Sequence, residues 1–363
     1  MYKILIIGAG GTGRGFIPRL LKNEDVQINF LDLDKSLVEK LNSEKEFSIF
    51  VGENLTDVRI NDYKAYDYDS NELLDVAAEA DYIFVSVGVQ NLPGLRAFFE
   101  QLLAKKKAED ISVIVAENGI SPRDAFIKAM RDTDVSGMEI SQSIIFCSSL
   151  PMNKGELDIV SEDYGTMPYD CAAANIKLPF EKFTPTDDFS ILMQRKIYTY
   201  NCLSGCIAYP GYLKGYENYA DAANDSDIVQ LCERVRIDLD RAVAQRYRVD
   251  IEDQQAFSAR ALKKFRDRTI KDTIQKNARA ALRKLGGEER LIGPLALLNE
   301  YGGDTAALLT VIASALVYLK NEEKMEYNGI TYSNPCLLLR AMHGENVLSN
   351  QDYEKIQEIY TSF

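Results

Sequence analysis

Apolar positions follow two rhythms along this chain. In the first half they come as short unbroken runs: Ile4-Leu5-Ile6-Ile7, the run closing at Leu31, Tyr82-Ile83-Phe84-Val85-Ser86-Val87, and 111–115. Runs of that length, bounded by turn residues, predict strands buried on both faces of a parallel sheet. Amphipathic stretches at 36–41, 73–79 and 95–107 alternate with them, and Pro122 stands where a further helix would begin. Residues 45–51 and 56–60 predict a strand pair inserted before the next parallel strand at 63–68. Further on, 143–146 predicts one more strand, and 157–162 and 171–176 predict antiparallel extensions of the sheet.

The rhythm changes across 179–188, which holds Pro179, Pro185 and a charged turn. Beyond it the spacing is helical: 189–204, 226–247, 253–266, 269–285, 290–301, 305–320, 335–342 and 351–359. The pattern predicts an α/β chain of two domains. A Rossmann-like dinucleotide-binding domain occupies 1–187, and an all-helical domain occupies 188–363.

The first strand runs directly into GAGGTG, and a second apolar strand ends at Leu31-Asp32. In strand-turn-helix-strand context this is the dinucleotide fingerprint. Gly8 permits the tight turn, Gly10 lets backbone approach a pyrophosphate, and Gly13 lets the helix lie close to the sheet. Gly11 and Thr12 open the helix, whose N–H groups face the phosphates. Asp32 suits a ribose diol and repels a 2'-phosphate, so the cofactor expected is NAD. Gly88, at the end of the run 82–87, marks a second turn under the cofactor.

A formal charge of −13 over 363 residues disfavours nucleic acid and anionic membrane as partners. It also gives weight to any cluster of basic residues. No apolar run is long enough to span a bilayer, and Met1-Tyr2-Lys3 leads straight into the first strand, which predicts a cytoplasmic protein. The six cysteines are scattered as free thiols are in a reducing compartment. Cys202 and Cys206 share a helix face but lack a histidine nearby, so buried thiols are expected there rather than a metal. Monomer and homodimer both stay open.

With one histidine in the chain, His343 in a polar turn and read as a surface residue, the base of an alcohol dehydrogenase must be sought elsewhere. Lysine can serve if burial or a neighbouring cation lowers its pKa. Lys196 lies in a fairly apolar helix next to the change of rhythm, and Asn201, five residues on, could donate to a developing oxyanion. From the residues alone, a lysine on a helix more usually lies on a solvated face. Asn118, at the end of a central strand, reads either as a ligand contact or as a turn residue. Lys276, Arg283 and Lys284 form a basic patch suited to a carboxylate or phosphate, or a solvated helix face.

Several motifs in the same order resemble the polyol-specific long-chain dehydrogenases, a family that includes mannitol dehydrogenases and uronate reductases. They are GAGGTGRGFI, FLDLD, AEN at 116–118, K-x-x-x-x-N at 196–201 leading into AYPGYLKGY, and KDTIQKNARAALRKLGGEERLIGP at 271–294. The resemblance implies oxidation of a secondary alcohol, or reduction of the ketone, on a polyol, ketose or sugar acid, with or without phosphate. It makes Lys196 the general base, Asn201 the residue orienting the reacting oxygen, and Asn118 a further polar contact. It assigns Lys276 (where the family usually has arginine) and Lys284, with Arg283 beside it, to the substrate's polar tail. It also implies a helical domain like that of 6-phosphogluconate dehydrogenase. Two departures stand out: Ser204 replaces a histidine, and Cys147-Ser148-Ser149-Leu150-Pro151-Met152 replaces a segment carrying an acid-arginine pair. They keep open a different small hydroxy substrate, or a non-catalytic NAD(H)-binding protein.

Overall fold

The computed structural model describes residues 1–153 and 156–363. The chain divides into two compact units, Met1–Ser190 and Ile191–Phe363. In chain order the first holds β1 (Tyr2–Ile7), α1 (Gly11–Gly15), α2 (Ile17–Leu21), β2 (Val26–Leu31), α3 (Lys35–Glu44), β3 (Glu46–Val51), β4 (Thr56–Asn61), β5 (Tyr63–Tyr66) and α4 (Leu73–Glu79). There follow β6 (Tyr82–Val85), α5 (Arg96–Lys105), β7 (Ser112–Val115), α6 (Pro122–Met130), β8 (Glu139–Gln142), β9 (Ser149–Pro151), β10 (Ile159–Ser161), β11 (Met167–Asp170) and β12 (Phe183–Thr186).

Six of these strands form a parallel sheet in the order β5-β2-β1-β6-β7-β8, the doubly wound order with its switch point between β1 and β6. The alternation of the strands sorts their side chains into two cores. Ile4, Ile6, Phe30, Phe84 and Ile114 enter one; Leu5, Ile7, Leu31, Val85 and Val113 enter the other. Burial on both faces is why these runs are apolar without interruption.

The inserted strand pair at 46–61 is present as an antiparallel hairpin, and it seeds a second sheet, β4-β3-β10-β9. Here the sequence expectations need correction. The strand at 157–162 is β10, which joins this second sheet parallel to β3 instead of extending the first. No strand forms at 171–176, because the Asp170 carboxylate accepts the N–H groups of Ala172 and Ala173 and turns the chain. The last parallel strand is β8 rather than 143–146: Ser143 bridges to Tyr169, and Ile144 donates to Pro168.

The second unit continues from α7 (Phe189–Lys196) through one wide turn of π-helix (Ile197–Asn201) into α8 (Cys202–Leu213). Then come α9 (Tyr219–Ala223), α10 (Ser226–Tyr247), α11 (Ile251–Phe265), α12 (Ile274–Ala278), α13 (Ala281–Lys284), α14 (Ile292–Tyr301), α15 (Ala306–Glu322), α16 (Pro335–Val347) and α17 (Asn350–Ser362). It is not all-helical, since β13 (Glu326–Tyr327) and β14 (Ile330–Thr331) make a small hairpin. The single helix expected at 269–285 is broken. Thr273 caps α12, and Ala280 adopts a left-handed φ of 59° between α12 and α13. Among the described residues no helix is long and apolar enough to cross a membrane.

Candidate active site

In the first unit the site is made mostly of backbone. Gly8 has φ 93°, and a Cβ there would sit 2.2 Å from the Ser86 carbonyl oxygen. A Cβ on Gly13 would sit 1.8 Å from the Gly8 oxygen, so the turn and the helix start exclude any side chain at both positions. Gly11 abuts β9, where a Cβ would meet the Ser149 oxygen at 2.1 Å. Gly10 differs, because a Cβ there would meet nothing within 4 Å. Gly10 is also the N-cap of α1 and gives its first N–H groups no side-chain cap. A dinucleotide's pyrophosphate fits such a start.

Asp32 Oδ2 accepts the Ala9 N–H at 2.6 Å and Oδ1 accepts the Asp34 N–H at 2.9 Å. Each carboxylate oxygen has a second lone pair, so the half-buried acid both ties the glycine turn to β2 and keeps acceptors for a diol. The donor set therefore fits a dinucleotide with a free ribose.

Gly88 closes β6 at φ 88°. It is fastened by a residue the sequence reading passed over: Glu117 Oε1 accepts the N–H groups of both Val87 and Gly88, at 2.6 and 2.7 Å. Burial pushes this carboxyl up to about 7 against the pull of the two hydrogen bonds. An acid at the carboxyl end of a buried strand was the available signal. Asn118, its neighbour, is exposed at the same end of β7.

In the second unit the chemistry lies in side chains. Lys196 is 8% exposed, and its amine is lowered from an ordinary 10.5 to about 7, first by burial and then by the charges of Lys264 and Arg290. A solvated helix face is thus excluded for it. Asn201 is half-buried at the other end of the wide turn. On a regular α-helix residues five apart point about 140° away from each other. The turn here is closed by bonds over five residues, the Cys202 N–H donating to the Ile197 oxygen. Closure over five residues in place of four leaves Lys196 and Asn201 less far apart around the helix axis than a regular α-helix would. Ser204 is half-buried one turn on, and its Oγ accepts from Tyr219 Oη at 3.0 Å.

The expected basic patch is divided. Lys276 is exposed on α12 and paired with Asp272 at 3.1 Å. Lys284 is buried, with Nζ donating to the Asn277 carbonyl, and its amine falls to about 7 through burial and the charges of Arg290 and Arg283. Arg283 and Arg290 both pair with Glu289. Arg290, which the sequence reading did not single out, acts electrostatically on both Lys196 and Lys284. The only histidine, His343, is half-buried rather than on the surface, with Nε2 2.7 Å from the Leu285 oxygen. Among the described residues no cluster of three or more potential metal ligands occurs.

Residues 2–150 match the mannitol dehydrogenase Rossmann domain and residues 188–358 the mannitol dehydrogenase C-terminal domain. A mannitol-1-phosphate 5-dehydrogenase of Caldanaerobacter subterraneus subsp. tengcongensis is 27% identical over 341 residues, covering 89% of this chain and 88% of that protein. One of Mycoplasmopsis pulmonis is 28% identical over 361 residues, covering 98% and 97%. The Pseudomonas fluorescens mannitol 2-dehydrogenase, solved with NAD and D-mannitol, has the same fold at a TM-score of 0.72 and 17% identity, over 99% of this chain and 91% of that one.

Proposed function

This chain belongs to the mannitol dehydrogenase family, and from that premise we propose that Lys196 is the general base with which it works as an NAD-dependent dehydrogenase on a polyol or sugar. The observation carrying the proposal is a buried amine whose pKa lies near 7, the range in which a lysine can both take and return a proton. In oxidation the neutral Lys196 amine removes the hydroxyl proton, and in reduction the ammonium returns it to the forming alkoxide. Asn201, at the other end of the wide turn, orients the reacting oxygen and donates to it as negative charge develops. NAD, when bound, supplies the hydride acceptor. Gly10 to Gly13 and Asp32 hold its pyrophosphate and ribose, Gly88 lines the second turn, and Asn118 faces the ligand side of the sheet.

The substrate's tail is anionic in this reading. Arg283, Lys284 and Arg290 set three basic groups against the one carboxylate of Glu289, and the two relatives named above as mannitol-1-phosphate 5-dehydrogenases carry a phosphorylated polyol in their names. Lys276 lies at the edge of that region as an outer contact. We place the protein in the cytoplasm, in keeping with its six free cysteines, divide the domains at 187/188, and group the helical domain with that of 6-phosphogluconate dehydrogenase.

The test follows NADH oxidation with fructose, fructose 6-phosphate, fructuronate, tagaturonate and small keto acids, each repeated with NADPH. The expected result is a kcat/KM highest for a phosphorylated or carboxylated ketose and much lower with NADPH. Equal rates on fructose and its phosphate would overturn the anionic-tail reading. Silence across the panel, with NADH bound, would overturn the substrate class.

A further inference from the structure

The wide turn between Lys196 and Asn201 is a rare conformation, and it is held from outside itself. Its middle residues are each occupied by a different neighbour. The Tyr198 ring lies over Gly293, where a Cβ would come within 2.5 Å of it. The Tyr200 ring packs edge-on against Phe257 of α11 at 4.9 Å. Thr199, 1% exposed, uses its hydroxyl as the acceptor for Gln254 Nε2 at 2.9 Å.

Gln254 is fully buried and makes two more bonds. Its Oε1 accepts from Nε of Arg195, the residue just before the base, at 3.1 Å, and its Nε2 also donates to Asp240 Oδ1 at 3.0 Å. The Asp240 carboxylate, 1% exposed, is completed on Oδ2 by Ser258 Oγ at 2.6 Å and Arg236 Nη1 at 3.2 Å. The result is a polar chain in which each of these groups has its partner. Such a chain has one low-energy arrangement, since a half-satisfied buried network is costly. A carboxylate, an amide and a guanidinium in the interior are a poor way to gain stability. They are a good way to fix a backbone that an apolar core would let relax into regular helix.

We propose that Thr199, Gln254 and Asp240 are positioning residues for the reaction: they hold the turn in its wide form and so keep Asn201 closer to Lys196 around the helix axis. The inference rests on the assignment of Lys196 as the base. The bond from Gln254 to Thr199 is the link to the turn itself, and the bond to Arg195 fixes the residue preceding the base. If the turn tightened into α-helix, Asn201 would rotate further from Lys196 around the axis.

Thr199→Val removes the acceptor at constant size, and Thr199→Ser restores it. The expected result for Thr199→Val is a fall in kcat of about tenfold or more, as misplacement of a catalytic group by a fraction of an ångström to an ångström produces. The KM for NAD should be unchanged, and the inflection of the kcat–pH profile set by Lys196 among Lys264 and Arg290 should be displaced. Thr199→Ser should recover both the rate and the wild-type profile, which a merely destabilised fold would not tie to the hydroxyl. If Thr199→Val is too unstable to assay, Thr199→Ala removes the same acceptor without placing a methyl group against Gln254. Wild-type kcat and pH profile in the valine or alanine variant would overturn the positioning role. Lys196→Ala run alongside separates the two ideas. If it is inactive while the Thr199 variants are normal, only positioning fails; if it keeps full turnover, the base assignment and the positioning role fall together.

Discussion

The glycine turn of the first unit and the lysine turn of the second solve the same problem by opposite means. Around Gly8 to Gly13 the site is built by leaving side chains out: Gly8, Gly11 and Gly13 are each explained by a backbone atom of the turn or of a strand beside it, and Gly10 by the open space over it. Around Lys196 the site is built by putting charged and polar side chains in, and the decisive partners, Lys264, Arg290 and Gln254, lie far along the sequence. Binding a dinucleotide needs only backbone N–H groups and room. Moving a proton near neutrality needs an amine taken out of water among cations. The first requirement writes a local motif, and the second is met by tertiary packing.

If that division holds, damage in the two regions should have separable signatures. Lys196→Ala should lower turnover by roughly 10² to 10⁴, the usual worth of a general acid–base group, with the NADH dissociation constant unmoved in a fluorescence titration. A variant that turned over normally, or lost NADH affinity in parallel with rate, would erase the distinction. The same amine sets a pH dependence. Alcohol oxidation needs it neutral, so kcat should rise through about pH 7, and ketone reduction should fall through the same region. Because the folded pKa lies below the ordinary 10.5, its contribution to stability is greatest above pH 10.5 and is lost as pH falls towards about 7.

A pair of glycine variants probes the other region. Gly13→Ala forces a methyl group against the Gly8 carbonyl, and overpacking of that kind costs about 1–3 kcal/mol. Its melting temperature and its NAD affinity should fall together, the latter roughly tenfold to a hundredfold. Gly10→Ala meets only open space at φ −77°, which alanine adopts freely. It should melt like wild type and lose affinity alone. A fall in melting temperature for Gly10→Ala would show that this position is structural and not a cradle.

The same contrast explains what could be read in advance. The six-stranded sheet was legible because burial on both faces leaves an uninterrupted apolar run, and the turn because only glycine satisfies it. Lys196 was no more legible than any lysine on an apolar helix, and the resemblance, not periodicity, singled it out. The charges that act on it come from α11 and the segment before α14. The wide turn left no trace in the sequence, where a spacing of five between Lys196 and Asn201 fits a regular helix wrapped by a cleft as well. The single helix drawn through 269–285 failed because nothing in Asn277-Ala278-Arg279-Ala280 announces a left-handed alanine. With that break the basic patch came apart, Lys276 outward and Lys284 inward.

Glu117 is the exception in the first unit, a buried side chain among backbone groups, and its effect should be small and specific. Its pKa is raised from an ordinary 4.5 to about 7 by burial, so the folded chain holds a proton that the unfolded chain releases in between. Its stability contribution is full below pH 4.5 and is lost as pH rises towards about 7. Glu117→Gln keeps an oxygen to accept from Val87 and Gly88 but does not titrate. The melting temperature of the variant relative to wild type should therefore climb between pH 5 and pH 8, with catalysis changed only a few-fold. A difference that stays flat with pH would mean that the carboxylate is ionised throughout.

Ser204 should matter least, although it marks the departure from the family's histidine. Its hydroxyl already serves Tyr219, whose phenol is buried and whose Oη donates to it at 3.0 Å. A group so engaged stabilises α8 against α9 and keeps its own hydrogen and one lone pair to offer. Ser204→Ala leaves the buried Tyr219 phenol without that acceptor and should cost about 1–3 kcal/mol of stability, and change kcat less than tenfold, read by thermal melts and steady-state rates on the best substrate of the panel. A much larger loss in kcat with stability intact would move Ser204 into the proton-handling chemistry beside Lys196. Proton transfer would then be shared between an amine and a hydroxyl, and the tertiary setting of the lysine would not be sufficient for the reaction.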